Sequence, residues 1–291
     1  MTGELATAYH SGAQRARVVT ESWGESNLYC PNCSSPKLTW LEPGHPASDY
    51  SCPKCGFWFQ LKSQKSRIGD SITDGAYAAM MSAICHDKLP SFYFMQYELA
   101  TWRVRNLLLV PHFAFPPSAI IKRPPLSRTA RRAGWVGCNF ALNRIPVEAR
   151  IDLVTTVVSP SPPSPTGERG GVRWRKSNPL ALSLSPLGRG EGNVFRTVIV
   201  PPEEVRARFR KVKPLKELSV KERGWTLDVL NAIRRLGKSE FTTTDAYIFE
   251  RELEQLHPDN RNIKAKIRQQ LQELRDRNLL LHVGRTCWRL P

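Results

Sequence analysis

No stretch of this 291-residue chain approaches the ~20 consecutive apolar residues that a bilayer-spanning helix needs; aliphatic runs such as Leu107–Val110 and Leu279–Leu281 are strand-length. Met1–Gln14 is polar and lacks the apolar stretch of a secretory signal. These absences argue against a membrane span and a secreted disulfide scaffold, so a soluble, intracellular, cytoplasmic protein is expected. Acid is also scarce: 26 Asp and Glu stand against 43 Lys and Arg, a formal net charge of +17. Such an excess points to a polyanionic partner, nucleic acid ahead of a membrane surface. Apolar residues at 41% suffice for packed cores, and the length fits one large or two ordinary domains.

What is present begins with two Cys-x-x-Cys turns, Cys30-Pro31-Asn32-Cys33 and Cys52-Pro53-Lys54-Cys55, 18 residues apart. Four thiolates at this spacing form the tetrahedral set that Zn²⁺ takes in a zinc ribbon. The competing reading is two disulfides, which a reducing compartment disfavours. Cys85, Cys138 and Cys287 lie outside any such turn and are expected to be buried small apolar residues.

Proline and glycine crowd into Ser159–Gly192, among serines and arginines. A segment of that composition buries too little apolar surface to offset its ordering entropy, so a disordered insertion is expected there. Its two ends, Pro163–Gly170 and Leu184–Glu191, are loosely similar, as a translated repetitive DNA element would be. Before it, helices are expected over Ala13–Trp23 and Asp74–Ile84, and strands over Ser91–Tyr97, Asn106–Val110 and Arg150–Val158. After it come a strand at Val194–Val200 and a short helix at Glu203–Phe209. The mixture defines an α/β or α+β domain.

From Ser219 the pattern turns helical. Ser219-Val220-Lys221-Glu222 reads as a capping box, and Trp225, Val229, Ile233 and Leu236 recur at helical spacing. A second helix begins near Thr243 or Thr244, and a third over Asn262–Asp276 turns Ile263, Ile267, Leu271 and Leu274 to one face. Leu279–Val283 and Thr286–Leu290 flank Gly284 as a terminal hairpin. Three helices and a hairpin make a winged helix, whose third helix enters the DNA major groove.

The second Cys turn sits inside a further pattern. In Phe57-Trp58-Phe59-Gln60-Leu61-Lys62, strand alternation puts Gln60 and Lys62 on one face and Phe57, Phe59 and Leu61 on the other. A hairpin turning at Cys52–Cys55 brings Asp49 beside Gln60. Oxygen ligands for Mg²⁺ with a nearby lysine are the requirements of phosphodiester hydrolysis.

Asp49, ten residues, then Gln60-Leu61-Lys62 resembles the Asp…(Asp/Glu)-x-Lys core of PD-(D/E)XK nucleases. Further stretches are similar to the DpnI-like type II restriction endonucleases: Tyr29–Cys33, Ile72–Ala78, Thr129–Trp135, Arg223–Thr226 and Lys266–Gln272, in order along nearly the whole chain outside Ser159–Gly192. The resemblance implies a PD-(D/E)XK nuclease domain over residues 1–217, with a zinc ribbon at about 29–56, and a winged-helix domain over 218–291. It also implies Mg²⁺-dependent double-strand cutting of GATC whose adenine carries an N6-methyl group. Asp49 and Gln60 would hold the Mg²⁺, Cys30, Cys33, Cys52 and Cys55 the Zn²⁺, and Lys62 would serve the water and the phosphate. Gln60 departs from the usual carboxylate: its carbonyl can ligate but brings no charge. Glu21, on the first helix, is either an accessory ligand or a solvated helix residue.

Specific contacts are expected from the third helix of the winged domain, whose outward face offers Lys264, Lys266, Arg268, Gln269 and Gln272: Gln suits adenine and Arg guanine, Lys mostly meets phosphate, and Arg285 suits a phosphate or minor-groove contact. Arg131, Arg132 and Trp135 suit a loop that approaches DNA, with Trp135 against a base or the adenine methyl. The competing readings are solvated charges on an amphipathic helix and an ordinary core tryptophan. The partner is double-stranded, adenine-methylated DNA; one chain, monomeric in solution, and two chains meeting on the palindrome are both compatible with it. The rival function is a zinc-ribbon and winged-helix regulator with an inactive nuclease centre, and a third class is a nucleic-acid coat protein without sequence preference.

Overall fold

The computed structural model describes residues 1, 3–42, 48–160, 187–190 and 193–291. Strands are β1 (Thr39–Trp40), β2 (Tyr50–Ser51), β3 (Trp58–Gln64), β4 (Ser71–Ala76), β5 (Ser91–Glu98), β6 (Arg103–Val110), β7 (Ile120–Lys122), β8 (Gly137–Ala141), β9 (Ile151–Pro160), β10 (Leu187–Gly190), β11 (Asn193–Ile199), β12 (Glu240–Thr242), β13 (Leu281–Gly284) and β14 (Cys287–Arg289). Helices are α1 (Gly12–Asn27), α2 (Tyr77–Cys85), α3 (Pro202–Val212), α4 (Val220–Arg234), α5 (Thr243–Ala246), α6 (Glu250–Leu256) and α7 (Ile263–Asp276). The class is α+β, with a C-terminal helix-turn-helix unit.

The main sheet runs β1-β2-β3-β5-β6-β9-β11-β10, with β3 and β5 parallel and the other pairs antiparallel. Its centre is a nearly unbroken aromatic and aliphatic run, Ser91–Met95 against Leu107–Val110, buried on both faces. Such a run has to be covered twice. On one face the β4-β8-β7 sheet packs Phe140 against Phe92 and Phe94, with ring centroids 4.8 and 5.6 Å apart. The register pairs Gln60 with Phe92 and Lys62 with Phe94, so these two polar side chains lie on the face that the small sheet covers. On the other, α1 reaches β3 through Thr20 Oγ1 and Ser63 Oγ, 3.0 Å apart.

The helix expected over Asp74–Ile84 starts later, at Tyr77. Residues 71–76 are a strand instead, because Ile72 buries its side chain while the backbone pairs with β8, and tertiary pairing overrides local propensity. The Ser159–Gly192 insertion also contracts at its edges: β9 extends to Pro160 and pairs with Asn193, and Leu187–Gly190 is strand. The remainder, 161–186 and 191–192, lies outside the described residues, with Pro163–Gly170 and all of the second similar end, 184–191, but the β10 strand. Cys138 is fully buried as expected, but Cys85 ends α2 exposed and Cys287 is half-buried.

In the C-terminal unit the capping box forms, with Ser219 and Glu222 bonded reciprocally, and Thr242 with Asp245 makes a second one at α5. The four α7 positions read as one apolar face are buried. The wing, β13 and β14, gains a third strand, β12, with Phe241 opposite Trp288. Helix α4 fastens this unit to the sheet domain. Arg223 pairs with Asp87, Arg234 with Glu148, Asn231 Nδ2 donates to Asn143 O at 3.1 Å and Ser118 Oγ donates to Asp228. A Cβ on Gly224 would stand 3.3 Å from Pro117 Cδ, so the two elements approach closely at this glycine.

Candidate active site

The four Sγ atoms of Cys30, Cys33, Cys52 and Cys55 all lie within 4.8 Å of one another, with Cys30–Cys55 and Cys33–Cys52 both at 3.5 Å. Tetrahedral Zn–S bonds would set these separations at about 3.8 Å, so the donor set fits structural zinc. Burial opposes ionisation of Cys52, but the Cys55 and Lys54 N–H groups outweigh it and bring the thiol down to about 7. Burial raises Cys30. A bound dication would hold both as thiolates.

The first knuckle has a clamp that sequence reading does not reveal. Arg206 of α3 donates from Nε to Cys33 O at 2.9 Å and Cys30 O at 3.2 Å, and from Nη2 to Ser35 O at 3.3 Å, while its guanidinium lies 5.2 Å from the centre of the Tyr29 ring. One cation thereby binds three backbone carbonyls of the knuckle, Ser35 O accepting from Cys30 N–H as well. Arg206→Ala should cost about 2 kcal/mol of stability and speed zinc loss to a chelator. A denaturation midpoint and a zinc-release rate both equal to wild type would contradict the clamp.

The second knuckle turns the active hairpin. Cys52 N–H donates to Phe57 O at 2.8 Å, Gly56 N–H to Cys52 O at 2.9 Å, and Gly56 sits at φ 71°, where a side chain would be strained. Among the described residues, β2 pairs with β3 through Tyr50–Phe59 and Ser51–Trp58. Beyond that short ladder the edge of β3 is left to Asp49, whose N–H donates to Phe59 O at 2.9 Å and whose Oδ2 accepts from Leu61 N–H at 2.8 Å. The carboxylate is thus fixed on the backbone between Gln60 and Lys62. Burial raises the Asp49 carboxyl, against the opposing pull of the Leu61 N–H, Lys62 and Arg17.

Glu21 is half-buried and ion-paired with Arg17 at 2.7 Å. Burial raises its carboxyl, Arg17 opposes, and the charge of Asp49 adds to the rise. Glu21 therefore faces the same polar patch as Asp49. Lys62 pairs with Asp74 of β4, a contact that the sequence reading missed by placing Asp74 in a helix. Alternation of Ile72 with its neighbours was the available signal for a strand there.

The loop 123–136, between β7 and β8, projects from the small sheet. Arg131 and Arg132 are exposed, Trp135 is half-buried, and Arg132 lies 5.7 Å from the centre of the Trp135 ring. The indole occupies space that any side chain at position 137 would need: a Cβ on Gly137 would stand 2.8 Å from it. On α7, Lys264, Arg268, Gln269 and Gln272 are exposed and Lys266 is half-buried. Lys266 Nζ donates to Gln269 at 2.9 Å, Arg268 to Tyr247 Oη at 2.8 Å, and Lys264 pairs with Glu250 at 3.4 Å. Arg285 is exposed at the wing tip. The structure thus brings Asp49, Gln60 and Lys62 together, and leaves the α7 and loop residues as separate surfaces.

A basic α+β protein with a Cys₄ cluster and a helix-turn-helix unit has the makings of a DNA-binding protein. The model of the DpnI family, described as the Dam-replacing family, matches residues 1–162, and that of DpnI_C, the Dam-replacing HTH domain, matches residues 221–289. The chain belongs to the DpnI (Dam-replacing) family, a family of restriction endonucleases, and DNA is its partner. Among the described residues no helix is long and apolar enough to cross a membrane.

Proposed function

We propose that this protein is a methylation-dependent restriction endonuclease of the PD-(D/E)XK type that makes Mg²⁺-dependent double-strand cuts at GATC carrying N6-methyladenine. The observation that carries the reading is the fixing of the Asp49 carboxylate to Leu61 N–H, between Gln60 and Lys62, on the edge of β3. Mg²⁺ keeps most of its shell as water and takes one or two carboxylates. Asp49, with the Gln60 carbonyl beside it and Glu21 nearby, suits that demand. A cation held there would polarise the phosphate and acidify water.

The chain's own residues do the rest. Asp49 and the Gln60 carbonyl would hold that cation against the scissile phosphate, and the Lys62 ammonium stands where negative charge grows on the phosphate oxygens. The exposed Gln269 and Gln272 read adenine and Arg268 reads guanine, while Lys264, Lys266 and Arg285 meet phosphates. Arg131 and Arg132 hold the backbone beside Trp135, whose indole offers the apolar surface that a methyl group requires. The methyl preference itself rests on family membership.

Purified protein with Mg²⁺ should cut adenine-methylated GATC plasmid and spare unmethylated plasmid. Binding without cutting, in Mg²⁺ and in Mn²⁺, would overturn the nuclease reading.

The raised Asp49 and Glu21 carboxyls give a pH prediction. A raised native carboxyl binds its proton more tightly than the unfolded chain does. Its contribution to stability is therefore present at low pH and fades as pH rises through the native value. In catalysis the sign is opposite, since the proton competes with the metal. Cleavage should fail on acidification above the ordinary Asp range of about 4, and more Mg²⁺ should move the acid limb to lower pH. Profiles at two Mg²⁺ concentrations test this, and superimposable limbs would refute it.

A further inference from the structure

Asp74 has no role in the cleavage chemistry above. It comes from β4, and its side chain is 3% exposed against 28% for its partner, Lys62. Among the described residues Asp74 Oδ1 has no hydrogen-bond partner, so its contact with the Lys62 ammonium is one of charge rather than of a directed N–H. A carboxylate at that depth is strongly disfavoured without a cation beside it. The backbone aims it there through an irregularity: the register of β4 on β8 shifts between Thr73 and Ala76, and such bulges re-aim side chains. The fully buried Cys138 lies against the same pair. Burial raises its thiol first, Asp74 raises it further, and Lys62 opposes, to about 11.

The need for such a partner follows from position 60. Gln60 and Lys62 are two residues apart on one face of β3, so a carboxylate at 60 would attract the ammonium directly. The Gln60 amide has no charge with which to do so. A lysine ammonium on its four-carbon stem keeps one position only where something holds it.

We propose that Asp74 is a positioning residue for strand cleavage: its carboxylate, delivered by the small sheet, holds the Lys62 ammonium at the active edge and replaces the anchoring that a neutral residue 60 does not provide. The assignment rests on the nuclease reading above.

Asp74→Asn keeps the shape and removes the charge, and Asp74→Glu keeps the charge. In single-turnover cleavage of a methylated GATC duplex, the Asn protein should be slower by about 30-fold or more, with duplex affinity in Ca²⁺ within about threefold of wild type. The Glu protein should regain part of that rate. A merely structural ion pair would lower thermal stability, affinity and rate together, and that result, or an Asn protein cutting at the wild-type rate, overturns the assignment. A measurement on the wild type covers the case in which Asp74→Asn does not fold. Reductive methylation with formaldehyde and borohydride should modify Lys62 about tenfold more slowly than exposed Lys65, and equal rates overturn the proposal. A wild type that binds the duplex and never cuts it removes the nuclease reading and this assignment with it. A wild type that cuts, beside an undiminished Asp74→Asn, removes this assignment alone.

Discussion

Lys62→Ala should lower the single-turnover cleavage rate of adenine-methylated GATC DNA by about a thousandfold, the scale of losing one preorganised charge at a developing oxyanion. Affinity should hold within about threefold, because one cation among the 43 basic residues makes a small share of the phosphate contacts. The physical basis is placement. Lys62 follows Gln60 by one strand repeat on the covered face of β3, and Asp49 is bonded to the Leu61 N–H between them. Truncation leaves that backbone bond in place but strands the buried Asp74 carboxylate, so the protein should melt lower as well, and the rate is compared well below its melting temperature, where the loss should fall on the chemical step. Lys62→Arg would restore the charge but not its compact geometry, and should recover little. Retention of cutting by the Ala protein would mean that the active edge lies elsewhere.

Stripping the zinc should abolish cleavage as well, by a different route. The hairpin that carries Asp49 and Gln60 has two residue pairs in its ladder, Tyr50–Phe59 and Ser51–Trp58, too few to hold alone. Its turn is Cys52–Cys55, half of the Cys₄ set. A structural zinc contributes on the order of 10 kcal/mol in small sites, against which two pairs of strand hydrogen bonds are minor. Chelation, or Cys52→Ser, should therefore lower the cleavage rate more than about a hundredfold, with the far-ultraviolet circular dichroism of the helices largely kept, since α4 and α7 pack on each other. The measurement is the cleavage rate against residual zinc content; full activity in zinc-free protein would uncouple the ribbon from the site.

Much of this was legible in the sequence because it is local. The Cys spacing, the Ser219–Glu222 box, the apolar face of α7 and the adjacency of Asp49 to Gln60 across the turn that begins at Cys52 all depend on neighbours along the chain. What escaped depends on distant partners. Asp74 reaches Lys62 only because β4 pairs with β8, a strand some 65 residues further on, and local propensity misread it as helix. Arg206 grips a knuckle more than 170 residues before it. The Arg223-Gly224-Trp225 stretch is conspicuous as a motif, yet its use as a docking surface appears only when Asp87 and Pro117 are set beside it.

That docking surface gives the molecule the character of a calliper. Ion pairs toward both ends of α4, at Arg223 and Arg234, with Gly224 near Pro117, leave the helix little freedom to pivot on the sheet domain. The span between the wing and the edge of β3 is then built into the protein rather than found anew on each encounter with DNA. Loosening the hinge would blur where the jaws close before it weakened their grip.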